Sequence, residues 1–430
     1  MVRMSSFSRL SWHTNAFSIH KTIFYAAKLD DQRRHPCSSR KTSNTPLSRH
    51  VAQSRIKLRV SNNNDNVDKG FNLLELASGI VPQGMIVQTT KEGWKFAWQR
   101  MMTELAPQDK DTGEYRRPSY NFNGAIGTSP FPPLNENDRG RYHLYVGNPC
   151  PWCHRAVLAA GLLDLLAPTA KSSNGQPPLV GVTRLLDDPV KASRGGWVFA
   201  VDRPDPIYQC GDLRELYDKL VPGGFRGRCT APLLVDRKLR QIVSNESSDI
   251  VRMLSKQALL LDGGGNDGKR RIDLYPAHLA EQIDETNDWV YQLLNNGVYR
   301  CGFSTTQSAY DKASGDVQTG LARCDKILAE STYLCGDSFT EADLRLLPTI
   351  LRFDGAYAPL FKAGGSHLRI QTDYPNIYRW MQTCWAMHPA VRESIDIPDA
   401  CSSYYKQLFP LNPGGIIPSP VTAESLGLES

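Results

Sequence analysis

The segment GRYHLYVGNPCPWCHR (140–155) constrains the fold most. Tyr142, Leu144 and Val146 alternate with His143 and Tyr145, which reads as a strand, and Gly147-Asn148-Pro149 stops it. Ala156, Val157, Leu158, Leu162, Leu163, Leu165 and Leu166 then give a helix a broad apolar face that ends before Pro168. Cys150-Pro151-Trp152-Cys153 therefore stands at a strand-to-helix junction. Free amides and the macrodipole at a helix N-terminus favour an anion, so the Cys150 thiol is expected below the ordinary thiol range. Pro151 suits the first helical position, where its missing N–H would be unpaired anyway.

Three chemistries compete for this pair. A tetrahedral zinc site needs four ligands, and no second CxxC exists; His154 and Cys210 have no recognisable ligand spacing. A buried structural pair is the second, and a redox or thiol-transfer nucleophile the third. The strand before and the helix after favour the last, so no metal is expected.

LVGVTRLL (179–186), APLLVD (231–236) and RQIVS (240–244) read as further strands, the last two joined by a charged turn. With a helix opening at Asn245-Glu246-Ser247, the order describes an α/β domain with a small mixed sheet. Pro232, at the start of its strand, marks a cis bond or an edge, and a bend there leaves backbone groups free for an extended thiol peptide beside Cys150. Asn245-Glu246-Ser247-Ser248 offers a hydroxyl and amides to a carboxylate, or serves only as a helix cap. The Asn245-Glu246-Ser247 sequon is discounted in a reduced, organellar protein. DGGGNDGK (262–269) reads as a loop without the spacing of a dinucleotide-binding fingerprint. From Tyr275 to about 395 the pattern is helical, and FTEAD (339–343) gives a capping box between Thr340 and Asp343 with a Phe339–Leu344 staple.

The chain of 430 residues carries a formal charge of +6, but Arg and Lys outnumber acids 12 to 2 in residues 1–64. That +10 leaves about −4 for residues 65–430, so a nucleic-acid partner loses its main support. The Ser/Thr/Asn-rich, acid-poor leader lacks an apolar secretory core and reads as an organelle transit peptide, with chloroplast the expected address and mitochondrion or cytoplasm the alternatives. No apolar run is long enough to span a bilayer. Ten scattered cysteines do not form a disulfide framework. After an Asn/Asp-rich stretch (62–68), GWKFAWQRMMTEL (93–105) is expected as a short amphipathic helix, and 106–140 as an extended arm crossing another domain's surface.

These residues resemble the glutathionyl-hydroquinone reductases, the Xi class of glutathione transferases. The matching segments are 140–155, GGWVF (195–199), GRCTAPLLVD (227–236), IVSNESSDIVRM (242–253), NNGVYRCGFSTTQSAY (295–310), RFDGAY (352–357) and YYKQLFPLNPGGIIP (404–418). The resemblance implies an α/β plus all-α fold: a thioredoxin-like, glutathione-binding domain (141–260), a linker (261–275), an all-helical transferase domain (276–400) and a tail (401–430) packing near the active site. A transit peptide (1–64) and an extension (65–140) precede them. It implies Cys150 as nucleophile, Tyr299 as proton donor and acceptor, and Tyr357 and Tyr404 directing hydroxyls at Cys150, with Tyr405 the alternative to Tyr404. Trp197, Arg228, Cys229, Thr230, Ala231, Pro232, Glu246 and Ser247 would hold glutathione, a co-substrate rather than a tightly bound cofactor. The implied partners are glutathione, a quinol conjugate and a second copy of the chain. Many relatives have alanine at position 153, so Cys153 either resolves a mixed disulfide or is idle. The implied reaction removes glutathione from a glutathionyl-hydroquinone. The alternatives are a glutaredoxin-like thiol transferase or dehydroascorbate-type reductase using Cys150 and Cys153, and a catalytically silent glutathione-binding protein.

Overall fold

The computed structural model describes residues 82–430 except 119–121, 167–175, 194, 263–270, 366 and 430. The leader, the Asn/Asp-rich stretch and nearly all of the 262–269 loop lie outside the described residues. The described residues cluster as one compact unit.

Helix α1 spans Gln83–Leu105, ten residues more than the apolar pattern of 93–105 suggests. Ile86, Val87 and intervening helix-tolerant polar residues carry it back to Pro82, whose φ of −54° suits helix entry. Only Met102 is buried. The Trp98 indole donates to Pro410 O at 2.9 Å and ties the helix to the C-terminal tail.

Five strands form one mixed sheet: β1 (Tyr142–Gly147), β2 (Val180–Asp187), β3 (Trp197–Val198), β4 (Leu233–Asp236) and β5 (Gln241–Ser244), in the order β3-β2-β1-β4-β5. β1 runs parallel to β2, with Tyr142 opposite Val180, and antiparallel to β4, with Tyr145 opposite Leu233. The edge strand β3 has two residues, too few for alternation to be read from sequence. All of β1 is buried, its polar-looking positions included. His143 pairs with Thr183 Oγ1 at 2.8 Å, and the Tyr145 hydroxyl donates to Asp205 at 3.0 Å, which satisfies them in the core. Helices α2 (Pro151–Leu162), α3 (Leu213–Leu220) and α4 (Ser247–Asp262) complete this thioredoxin-like part.

The remainder is helical: α5 (Ala280–Val290), α6 (Gly297–Phe303), α7 (Gln307–Glu330), α8 (Glu341–Arg352), α9 (Ile370–Asp373), α10 (Pro375–Met387), α11 (Pro389–Glu393) and α12 (Ile397–Gln407). The expected capping box opens α8. Single π-turns, a feature frequent at functional sites, follow α5 at Tyr291–Asn295 and α8 at Phe353–Tyr357. The first leads into Tyr299 and the second ends on Tyr357.

Polar contacts join the sheet-bearing and helical parts around the end of β1. Asn148 Nδ2 donates to Asp396 O at 3.0 Å and Asp399 Oδ2 at 2.7 Å. His154 Nε2 lies 2.8 Å from Ser394 Oγ. Arg184 donates to Glu393 O at 3.0 Å.

Candidate active site

Cys150 is the N-cap of α2, and its Sγ accepts the Cys153 amide at 3.4 Å. Sγ also lies 3.6 Å from Ala231 O, beside the cis Ala231–Pro232 bond. Burial alone would push this thiol up. Hydrogen bonds from Cys153 and the Trp152 amide, and the Arg352 charge, outweigh burial and hold it below the ordinary range. Cys153 is buried, and burial, then its bond to Cys150, pushes its thiol well up. One cysteine of the pair is thus set up as a thiolate and the other as a neutral donor to it.

Arg352, the last residue of α8, is fully buried and has no carboxylate partner among the described residues. Its guanidinium donates to Asn148 O (2.8 Å), Pro149 O (3.1 Å), Pro348 O (2.9 Å) and His154 Nδ1 (3.1 Å). It fixes the loop that presents Cys150 and keeps a cation under it. Burial, then Arg352, pushes His154 well below its usual range, so this histidine is a neutral acceptor here. In the sequence Arg352 is simply the first residue of RFDGAY, and an arginine ending the apolar run LLPTILR is the signal that could find it.

The three tyrosines converge. Tyr299 and Tyr404 hydroxyls lie 2.8 Å apart, Tyr357 and Tyr404 2.8 Å, and Tyr299 and Tyr357 3.3 Å. Tyr404 also donates to Pro149 O at 3.3 Å. Hydroxyls of Tyr357 and Tyr404 therefore meet each other, Tyr299 and the residue before Cys150; no hydrogen bond joins either to Sγ. Tyr405 turns away and donates to Gly355 O at 3.3 Å, so Tyr404 is the member of the cluster. Burial pushes all three phenols up, and a negative Cys150 adds to the rise at Tyr299. Tyr299 also stacks on Trp152, centroids 6.3 Å apart.

A cleft of about 620 Å³ opens beside the Ala231–Pro232 turn, lined by Asp187, Trp197, Arg228, Thr230, Ala231 and Gln407 among others. Trp197 reaches it because Gly147 has no side chain: a Cβ there would sit 2.0 Å from the indole. Cys229 lines it too, and burial pushes its thiol up to about 11, which keeps it in the neutral form near neutral pH. Arg228 donates to Leu105 O at 2.7 Å, which brings the end of α1 to the rim. Pro232, buried next to Ala231, fixes the turn. Burial raises the Asp187 carboxyl to about 6; Ser403 Oγ donates to it at 2.9 Å, and Gln407 Nε2 donates to its backbone O at 2.6 Å. These α12 contacts place the tail at the cleft.

Glu246 and Ser247 lie at the start of α4. Glu246 Oε1 accepts from Ser247 Oγ (3.1 Å), Ser248 N (3.1 Å) and Ser248 Oγ (2.9 Å). Its Oε2 lies 3.7 Å from Arg117 of the arm, whose guanidinium centre sits 3.6 Å from the Trp152 ring centroid. Arg155 approaches the same ring at 4.5 Å. Burial would raise the Glu246 carboxyl, but Arg117 and the Ser248 donors hold it low. Arg117 carried no motif, and only the fold shows that the arm delivers it. Among the described residues no cluster could hold a metal, and no helix is long and apolar enough to cross a membrane.

The family model for the glutathione S-transferase C-terminal domain matches residues 307–383. Glutathionyl-hydroquinone reductase YqjG of Escherichia coli is 37 % identical over 298 residues, covering 68 % of this chain and 82 % of that protein. Glutathione S-transferase omega-like 2 of Schizosaccharomyces pombe is 36 % identical over 323 residues, 74 % of this chain and 96 % of that one. Among solved structures, the Xi glutathione transferase of Phanerochaete chrysosporium superposes with a TM-score of 0.61 at 35 % identity, covering 70 % and 96 % of the two chains. The glutathione-bound YqjG structure gives 0.59 at 33 % identity, over 70 % and 93 %. A cysteine at the helix N-cap, a tyrosine cluster beside it and this likeness across both parts of the fold place the chain in the glutathionyl-hydroquinone reductase family, the Xi class of the glutathione transferases.

Proposed function

We propose that the protein removes glutathione from glutathionyl-hydroquinones. The observation that carries this reading is the Cys150 thiol held low at the α2 N-cap while neutral Tyr299 stacks on the neighbouring Trp152. The cleft beside Ala231 takes the glutathionyl moiety, with Trp197, Arg228 and Thr230 along it and Glu246-Ser247 at the helix end suited to its terminal charges. Cys150 thiolate attacks the thioether sulfur; an S–S bond forms, the sulfur–aryl bond breaks, and its electron pair stays on the ring carbon. Tyr299 gives that carbon a proton, and its transient phenolate is held by the Tyr357 hydroxyl and by Tyr404 when the latter turns its one hydrogen from Pro149 O. A second glutathione thiolate attacks the mixed disulfide, leaving GSSG and restoring Cys150 thiolate, while a proton returns to Tyr299.

Cys153, buried and with its thiol raised by burial and by its bond to Cys150, supports the Cys150 thiolate in the free enzyme, and resolution of the mixed disulfide falls to the second glutathione in this reading. The test incubates the protein with a glutathionyl-hydroquinone and glutathione and follows hydroquinone release. Wild type and Cys153→Ala release product, whereas Cys150→Ser does not. No release by wild type while Cys150 still forms a glutathione adduct would overturn the assignment, and loss in Cys153→Ala alone would favour the dithiol, glutaredoxin-like reading.

A further inference from the structure

The opposite end of β1 carries a second concavity. Arg141 directly precedes β1 and Cys150 follows it, and about six residues of strand put roughly 20 Å between the groove and the thiol. The groove, about 570 Å³, is lined by Arg139, Arg141, Arg237, Lys238, Arg240 and Tyr208, with Gln209 at its side. It lies where the segment before β1, the loop after β3 and the β4–β5 turn come together.

The charges there do not cancel. Arg139 pairs with Glu136, Arg141 with Asp236 (2.8 Å) and Asp138 (3.3 Å), and Lys238 with Asp138. Among the described residues Arg237 and Arg240 have no carboxylate partner; Arg237 donates to Gly140 O at 3.0 Å, and the Arg240 guanidinium lies 5.5 Å from the Tyr208 ring centroid. Asp205, the other acid near Tyr208, spends its oxygens on the Tyr145 hydroxyl and on the amides of Ile207, Tyr208 and Cys210. The Tyr208 hydroxyl is enclosed yet has no hydrogen-bond partner among the described residues. A buried hydroxyl without a partner is costly. Gln209 and Arg240 are two of only four non-glycine residues with positive φ in the described chain, at 56° and 55°. Left-handed backbone at a side-chain-bearing residue costs on the order of 1 kcal/mol, and such strain concentrates at functional sites. A tight turn would accept glycine or asparagine at position 240; arginine there supplies a second free guanidinium instead.

We infer that this groove is a binding site for a small phosphate-bearing anion, separate from the thiol site. Guanidinium forks match phosphate oxygens two at a time, and with Glu136, Asp138, Asp236 and Asp205 all counted against the five cations the groove still carries a net positive charge, which suits an anion. The groove's volume fits a small molecule. None of this depends on the reaction proposed for Cys150.

Inorganic pyrophosphate is the probe, titrated calorimetrically into the full-length protein at fixed ionic strength with saturating glutathione present, so that the thiol cleft is occupied. Saturable binding of one equivalent is expected. The Arg237→Ala/Arg240→Ala double variant binds about tenfold or more weakly, while its unfolding midpoint and Cys150 alkylation rate stay at wild-type values. A Tyr208→Phe variant, which keeps the ring, weakens binding less. The inference is overturned by unsaturable binding in wild type, by undiminished binding in the double variant, or by equal competition from acetate at the same ionic strength, which would mean a general counter-ion effect.

Discussion

Arg352 provides the sharpest test of how the fold lowers the Cys150 thiol. Arg352→Met roughly preserves the volume of the side chain but removes the charge and all four donated hydrogen bonds, to Asn148 O, Pro149 O, Pro348 O and His154 Nδ1. Pro149 O keeps the Tyr404 hydroxyl, whereas Asn148 O and His154 Nδ1 are stranded. At about 1–3 kcal/mol for each stranded buried acceptor, the variant should lose about 2–6 kcal/mol of stability. Burial pushes the Cys150 thiol up, and Arg352 is one of the groups that reverse the push. Removing it leaves burial less opposed, so the thiol rises and the thiolate fraction at neutral pH falls. Arg352→Lys separates the two roles: it keeps the cation but loses the planar fork, so the loop loosens while much of the field remains. The assay is the rate of iodoacetamide alkylation of Cys150 against pH, beside denaturant unfolding of the same proteins. The midpoint should move to higher pH in Arg352→Met and far less in Arg352→Lys, with both less stable than wild type. A midpoint in Arg352→Met equal to wild type would refute the electrostatic part of the argument.

Arg117→Ala removes the guanidinium over Trp152 and the counter-charge of Glu246. With a cation–π contact worth about 0.5–2 kcal/mol, KM for glutathione should rise by a few-fold to about thirtyfold with kcat little changed; steady-state kinetics giving an unchanged KM would show that the arm is only packing. Asp187 has a carboxyl raised by burial to about 6, against an ordinary value of 3.8. Its protonated form is favoured on folding, so its contribution to stability is present below the ordinary value and is lost as pH rises through about 6. Asp187→Asn should therefore gain in unfolding midpoint relative to wild type across that interval and stay level below about pH 4; a difference independent of pH would contradict the burial of this carboxyl.

The helix N-cap position of Cys150 was legible in the sequence because one short segment contains all its local causes: a strand, a proline-initiated turn and a helix start around Cys150. The same locality explains the capping box of α8 and the turn at Ala231–Pro232. Strand β3 and the first ten residues of α1 were not legible, since two residues show no period and a largely exposed helix needs no apolar stripe. The tyrosines illustrate a different limit. Each alone reads as packing, and only the juxtaposition of α6, the turn after α8, and α12 brings three hydroxyls within 3.3 Å of one another.

The residues missed altogether are those whose partners lie far away in the chain. Arg352 is about two hundred positions from the loop it holds, and Arg117 reaches Trp152 and Glu246 from an arm with no secondary structure at that point. Both are cations, and both are set against groups whose reactivity depends on charge. A CPWC motif on a bare strand–helix unit would have the helix amides but not Arg352, and Trp152 would have Arg155 but not Arg117. The helical part and the arm therefore supply much of the field at a site whose low-lying thiol belongs to neither. Lowering the Cys150 thiol is a property of the assembled fold, and the motif is where that property is read out.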